Sequence, residues 1–290
     1  MKDNKNIILG LVGLGTSLIL LSKTAKTTSQ PLLSGTYLGY GNIYSPEIDT
    51  QNNRMYFSGW YNDADYPRDA IYVTDLNNVK NVRKLLQFDY QIGDPTIIDN
   101  KMFMTFSPDP NDLTQHKIAL STTNDNGITW SYPSFIINQG WLPSAILTNN
   151  LYIYYTYADL ITNQLRRATL DNINQITETL PTTFEEPNFY PINIDVKYYD
   201  KYYLLGDYWA LINNIPSYCI GLWTSTDGIN FIKYQNNPII IPSNNNIIAR
   251  TPYFIKEGNK LKIWYAQQKQ DWWTNAIYYT EYLIGWLKWT

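Results

Sequence analysis

Asp94-Pro95-Thr96-Ile97-Ile98-Asp99-Asn100-Lys101-Met102-Phe103-Met104 reads as one compact unit: a proline opening a β-type segment, a polar turn, and a strongly apolar second strand. Asp-Asn suits the turn because both side chains bond the local backbone and tolerate a left-handed conformation. The unit recurs. Prolines open similar segments at Pro46, Pro95, Pro143, Pro191 and Pro252, with spacings of 49, 48, 48 and 61. The polar turns include Thr50-Gln51-Asn52-Asn53 and Glu257-Gly258-Asn259. The aromatic strands that follow include Met55-Tyr56-Phe57, Leu151-Tyr152-Ile153-Tyr154, Tyr202-Tyr203-Leu204 and Leu261-Lys262-Ile263-Trp264. A longer polar loop then leads to a third strand, for example Lys117 to Ser121 or Cys219 to Thr224. Repeats of about 40–50 residues mark propeller blades, and five such units describe a five-bladed β-propeller. A β-sandwich has no reason to repeat at nearly constant spacing. No low-complexity break divides residues 36–290, which read as one domain. The segment Thr36 to Tyr40 is expected to close the ring against the last blade, because an open ring exposes sheet edges.

Composition agrees with an all-β chain. Aromatic residues make up 16% of the sequence and charged residues only 16%, well under the usual quarter of charged residues. Tyr, Trp, Ile and Thr fit pleated, half-buried surfaces. The net charge of −3 comes with no basic block, which argues against nucleic acid as a partner. A single Cys and a single His exclude an internal disulfide and speak against a zinc site of the usual kind. No metal or cofactor is expected. Cys219, in Cys219-Ile220-Gly221-Leu222-Trp223, reads as a buried inert thiol.

Residues 1–26 differ from the rest. Lys2 and Lys5 precede an uncharged run from Asn6 to Ser22, and Lys23 and Lys26 follow it. The apolar part, Ile7 to Leu21, would be about 22 Å long as a helix. That is the length of a signal-peptide core and short for a full span. No small-x-small cleavage site stands out, so an uncleaved anchor is preferred to a removed signal, with residues 27–35 as a polar linker. Asn-x-Ser/Thr sequons are absent. The expected location is therefore membrane-anchored or secreted, with the propeller outside the cytoplasm on a cell or virion surface.

Ser121-Thr122-Thr123-Asn124-Asp125-Asn126-Gly127-Ile128-Thr129-Trp130 resembles the Asp box of sialidase-type propellers, and Thr224-Ser225-Thr226-Asp227-Gly228-Ile229-Asn230-Phe231 is a shorter version. Each should sit where a third strand turns into a fourth, on the face opposite any binding site. Asp125 and Asp227 are accordingly expected to be structural.

In a propeller the inner strands start at one rim of the channel, and the loops between second and third strands overhang it. Alignment on the turns puts Ser45, Asp94, Leu142 or Pro143, Asp195 and Thr251 at those starts. Arg250 could clamp a sugar hydroxyl or a carboxylate, or simply pair with Asp94 across the channel. His116 ends an overhanging loop and reads as a solvated loop histidine before one that reaches the channel. Trp60, Trp141, Trp209, Trp272 and Trp273 lie near strand ends or in rim loops, where most should pack between blades. Sugars stack their C–H faces on such rings.

The Asp94-Pro95 and Arg250-Thr251-Pro252 strand starts and the Ser-Thr-Asp-Gly turn resemble five-bladed glycosidases of the arabinanase, xylosidase and fructosidase type over residues 36–290. The resemblance implies a carbohydrate ligand and a carboxylate pair flanking the scissile bond. By resemblance Asp94 and Asp195 are the best-placed carboxylates. Ser45 stands where those enzymes carry an aspartate, with Glu47 two residues on, and no glutamate falls clearly at an inner-strand start. A glycoside hydrolase and a non-catalytic glycan-binding or structural surface protein both stay open at this point.

Overall fold

The computed structural model of the chain describes residues 26–27, 31–35, 42–61, 68–88, 90–109, 112–158, 163–185, 191–212, 214–242, 247–269 and 275–284. The apolar run read as a short N-terminal helix lies outside these residues. Among the described residues no helix is long and apolar enough to cross a membrane.

Five sheets, antiparallel but for one short outer pairing, form a ring. Their inner strands are Asn42–Asp49, Gln91–Ile98, Trp141–Leu147, Ile194–Tyr198 and Ile247–Glu257, and each touches the next, the last returning to the first. The second strands are buried on both faces, which is why they read as apolar runs rather than alternating ones. Neighbouring residues on a strand point to opposite faces, so each second strand feeds two inter-blade cores. Tyr56 packs with Met102 between blades 1 and 2, while Phe57 packs with Tyr253 and Trp264 between blades 1 and 5. Phe103 and Ile153 share the next core, Tyr154 and Leu204 the one after, and Leu205 and Ile263 the last.

The ring closes through the N-terminal side. Lys26–Thr27 and Leu33–Ser34 add the outermost strand of blade 5, pairing Lys26 with Glu281 and Leu33 with Ile277. Part of the stretch read as a polar linker is therefore propeller, and residues 36–40 lie outside the described residues. A second correction concerns the fourth repeat. Pairing across the first hairpins aligns Glu47, Thr96, Ser144, Asp195 and Tyr253. Ile194 thus stands where the other blades have proline, three residues past Pro191.

Both acidic turns join third to fourth strands at the end of the ring away from the inner-strand starts. Asp125 accepts from Thr129 N at 2.8 Å and Thr129 Oγ1 at 2.6 Å. Asp227 accepts from Ile229 N and Asn230 N, both at 2.8 Å. The hydrogen bond from the Thr129 hydroxyl, joined by its N–H, holds the Asp125 carboxyl down at about 2. Gly127 and Gly228 take φ values of +78° and +71°, and a Cβ there would lie 2.5 Å from the hydroxyls of Tyr56 and Tyr154. Those tyrosines belong to the preceding blades and pack edge-on against Trp130 and Phe231. Each turn is thereby a clasp between blades. Asp227→Ala should lower stability by about 0.5–2 kcal/mol, as loss of a capping carboxylate does. Urea denaturation of the two proteins measures the loss.

Candidate functional site

Proline cannot donate to a β ladder, so within a sheet it is confined to edges and bulges. Here the inner strands of blades 1, 2, 3 and 5 each break register at their proline, between Tyr44 and Glu47, Gly93 and Thr96, Trp141 and Ser144, and Arg250 and Tyr253. The residues before those prolines, Ser45, Asp94, Leu142 and Thr251, take φ values of 48°, 52°, 54° and 47°. Left-handed backbone is costly for side chains larger than glycine, most of all for a β-branched Thr, at on the order of 1–3 kcal/mol each. Blade 4, with Ile194 in place of proline, has no such residue at Asn193. These five positions and the residues after them surround a solvent-open depression.

The rim of the depression is hydrogen-bonded from blade to blade. Ser45 N donates to Thr251 Oγ1 at 3.0 Å, and Ser45 Oγ donates to Asp94 Oδ1 at 2.5 Å. Asp94 N donates to Ser58 Oγ at 2.7 Å. Burial holds the Asp94 carboxyl above its ordinary range, opposed by the Ser45 and Thr105 hydroxyls and the Arg250 charge. Arg250 Nε lies 3.2 Å from Oδ2 of Asp207, a fully buried carboxylate that also receives Asn193 N and Nδ2 at 2.7 Å each. Asp207 was not among the sequence candidates. It occupies a second-strand position where blades 1 to 3 carry Ser58, Thr105 and Thr156, and that substitution of an acid for a hydroxyl was its only signal.

One layer deeper, side chains of the inner strands tie each blade to the next. Ile97 N donates to Glu47 Oε1, Ala145 N to Thr96 Oγ1, Val196 N to Ser144 Oγ, and Phe254 N to Asp195 Oδ2, while Tyr253 OH donates to Ile48 O. This five-membered belt satisfies four edge N–H groups and one carbonyl that would otherwise face the channel unpaired. Asp195 and Glu47 belong to the belt. Lys197 Nζ sits between them, 3.0 Å from Asp195 Oδ1 and 3.9 Å from Glu47 Oε1, over the Tyr253 ring at 4.3 Å. Burial pushes the Glu47 carboxyl up to about 8 against the pull of Lys197. Asp94 and Asp195 thus border the same depression in different layers, because Asp195 is the counterpart of Thr96, two residues beyond Asp94.

The other candidates are dispersed. His116 is buried edge-on against Trp141, ring centroids 5.7 Å apart, and neither lines the depression. Trp209 is 54% exposed on the long blade 4 hairpin, against Tyr218 at 4.0 Å, whose other neighbour is the Arg250 guanidinium at 5.7 Å from the ring centroid. The Trp60 side chain and Trp272 lie outside the described residues. Among the described residues no group of three His, Cys, Asp or Glu side chains is placed to hold a metal ion.

A further buried acid stands behind the rim. Asp69 accepts from Tyr44 OH at 2.6 Å and from Gln91 Nε2. Burial pushes its carboxyl up to about 6, against both hydrogen bonds. A carboxyl raised on folding stabilises fully below its unfolded value and loses that contribution as pH rises through the folded value. Between pH 4 and 6.5 the parent should lose about 2 kcal/mol more stability than Asp69→Asn. Denaturant midpoints at the two pH values read this directly.

Five blades around a rim depression define the architecture shared by propeller arabinofuranosidases and xylosidases. An α-L-arabinofuranosidase from Podospora anserina, solved with cellotriose, superposes with a TM-score of 0.66 at 12% identity, over 89% of this chain and 96% of that one. The catalytic domain of an α-L-arabinofuranosidase from Coprinopsis cinerea gives 0.61 at 10%, covering 90% and 97%. A β-xylosidase gives 0.59 at 12%, covering 88% and 95%. No protein-family profile matches the chain, and no curated protein matches it in sequence. The likeness establishes the fold.

Proposed function

We propose that this chain is a glycan-directed propeller, held outside the cytoplasm, that binds a saccharide end at the rim depression. The observation that carries the reading is the convergence of four strained residues, Ser45, Asp94, Leu142 and Thr251, on one solvent-open depression. Backbone strain of this kind collects at binding and catalytic sites. Asp94 offers a charged acceptor, Thr251 and Ser45 offer hydroxyls, and the Trp209–Tyr218 step beside Arg250 offers a face for a second sugar ring. Titrating the chain with arabino- and xylo-oligosaccharides by calorimetry tests this. Saturable binding that weakens with Asp94→Ala and Trp209→Ala supports it, and no heat with any of them at millimolar ligand rejects it.

Hydrolysis is the second reading. It is favoured by the fold shared with arabinofuranosidases and a xylosidase and by the raised Asp94 carboxyl, suited to act as a general acid. Asp195 does not serve as its partner in this reading, since both its oxygens are engaged by Ser144, Lys197 and Phe254 N. A partner would come from the overhanging loops, whose sequence includes Asp63, Asp65, Asp159 and Asp271. Release of sugar from aryl-glycosides separates the two readings.

A further inference from the structure

The point where the chain enters the ring fixes which face its N-terminal segment leaves from. Lys26 pairs with Glu281, Glu281 with Lys262, and Lys262 with Ile255. Ile255 is two residues from the Glu257-Gly258-Asn259 turn, on the face opposite the depression, and the rise of a strand puts it about 13 Å below the Thr251 rim position. From Lys26 the chain then climbs towards the rim, since Leu33 pairs with Ile277, level with Ala266 and Arg250. Everything before residue 26 therefore joins the ring on the turn face. The apolar run ends at Leu21, and residues 22–25 reach at most about 14 Å when extended.

That same face carries large apolar side chains in the open. Ile128 and Ile173 sit in third-to-fourth-strand turns and are 53% and 70% exposed. Leu147, Tyr198, Tyr199 and Leu283 sit at strand ends on the same side, with Leu147 and Leu283 exposed by 53% and 67%. They come from blades 2, 3, 4 and 5. Exposed Ile, Leu and Tyr side chains beside an apolar segment suit the interfacial zone of a bilayer, where tyrosine is enriched. Three acids of this face are committed to turn N–H groups: Asp171 accepts from Ile173 N and Gln175 N, as Asp125 and Asp227 do in their turns, while Asp200 and Glu257 pair with Lys256 and Lys262. Lys256, Lys260 and Lys262 on this face are each paired with an acid, so the face suits a zwitterionic rather than an anionic lipid surface.

We infer that the turn face docks on the lipid surface into which residues 7–21 insert, so that the rim depression points away from the membrane. The inference rests on the membrane placement of residues 7–21, and its test separates the two. The full-length chain is reconstituted with phosphatidylcholine vesicles carrying a quencher on the acyl chain. Ile173→Cys, Leu283→Cys and Leu211→Cys each receive an environment-sensitive fluorophore. The native Cys219 is fully buried, with its thiol pushed up to about 11 by burial, and does not compete for label. Leu211, 71% exposed on the blade 4 hairpin, reports the rim. The expected result is co-flotation with vesicles, with quenching at 173 and 283 several-fold stronger than at 211. Co-flotation with quenching at 211, or at none of the three, overturns the orientation alone. Failure to float, with an intact N-terminus on mass spectrometry, overturns the membrane placement and the orientation together.

Discussion

Asp195→Ala is expected to destabilise the propeller by about 3–5 kcal/mol, the cost of breaking a buried ion pair from one side. Asp195 is 4% exposed and bonds Lys197 at 3.0 Å, Phe254 N at 3.0 Å and Ser144 Oγ at 3.2 Å. Alanine leaves the ammonium with Glu47, 3.9 Å away, and the Tyr253 ring, and orphans an edge N–H between blades 4 and 5. Asp195→Ala with Lys197→Met should recover part of the loss, because the uncompensated charge goes while the N–H remains unpaired. Urea denaturation of the three proteins measures both effects. A loss under about 1 kcal/mol, joined to a loss of saccharide affinity, would return Asp195 to the binding site.

Asp94→Asn separates the two functional readings. The amide keeps the shape and the acceptor for Ser45 Oγ, yet it removes the charge. If the depression only binds, the saccharide dissociation constant should rise about tenfold to a hundredfold, the worth of a hydrogen bond to a charged acceptor. If Asp94 acts as a general acid, affinity should hold while turnover falls by at least about a hundredfold. Thermal stability should stay level or rise, since a desolvated carboxyl is being replaced by a neutral group. Unchanged affinity with no turnover in either protein would remove Asp94 from the site altogether.

The repeat was readable because its causes are local. A proline must fall at an edge or a bulge, Asp-Asn and Glu-Gly-Asn suit tight turns, and an unbroken aromatic strand signals burial on both faces. The acidic turns at Asp125 and Asp227 were readable for the same reason, as both bond only their own neighbourhood apart from the tyrosine and arginine above them. The fourth blade was misaligned because its turn was matched Asp200 to Asp99, whereas Asp195 stands five residues before Asp200 and its counterpart Thr96 only three before Asp99. That slip moved Asp195 up a layer and made a belt residue look like a rim residue.

A sign of the belt was nonetheless present in the sequence: an oxygen-bearing residue, Glu47, Thr96, Ser144 or Tyr253, follows the proline in the other four blades. What local sequence could not supply was the partner of each, since every one reaches a strand of the next blade about fifty residues away or, for Tyr253, across the whole chain to Ile48. Asp207 and its pairing with Arg250 are of the same kind, as are the contacts of Lys197 with Glu47. Composition and periodicity determined the five blades, because strand, turn and edge preferences act over a few residues. Closing the ring decided which acids meet a cation and which meet solvent, because burial and charge pairing depend on residues that only the closed ring brings together.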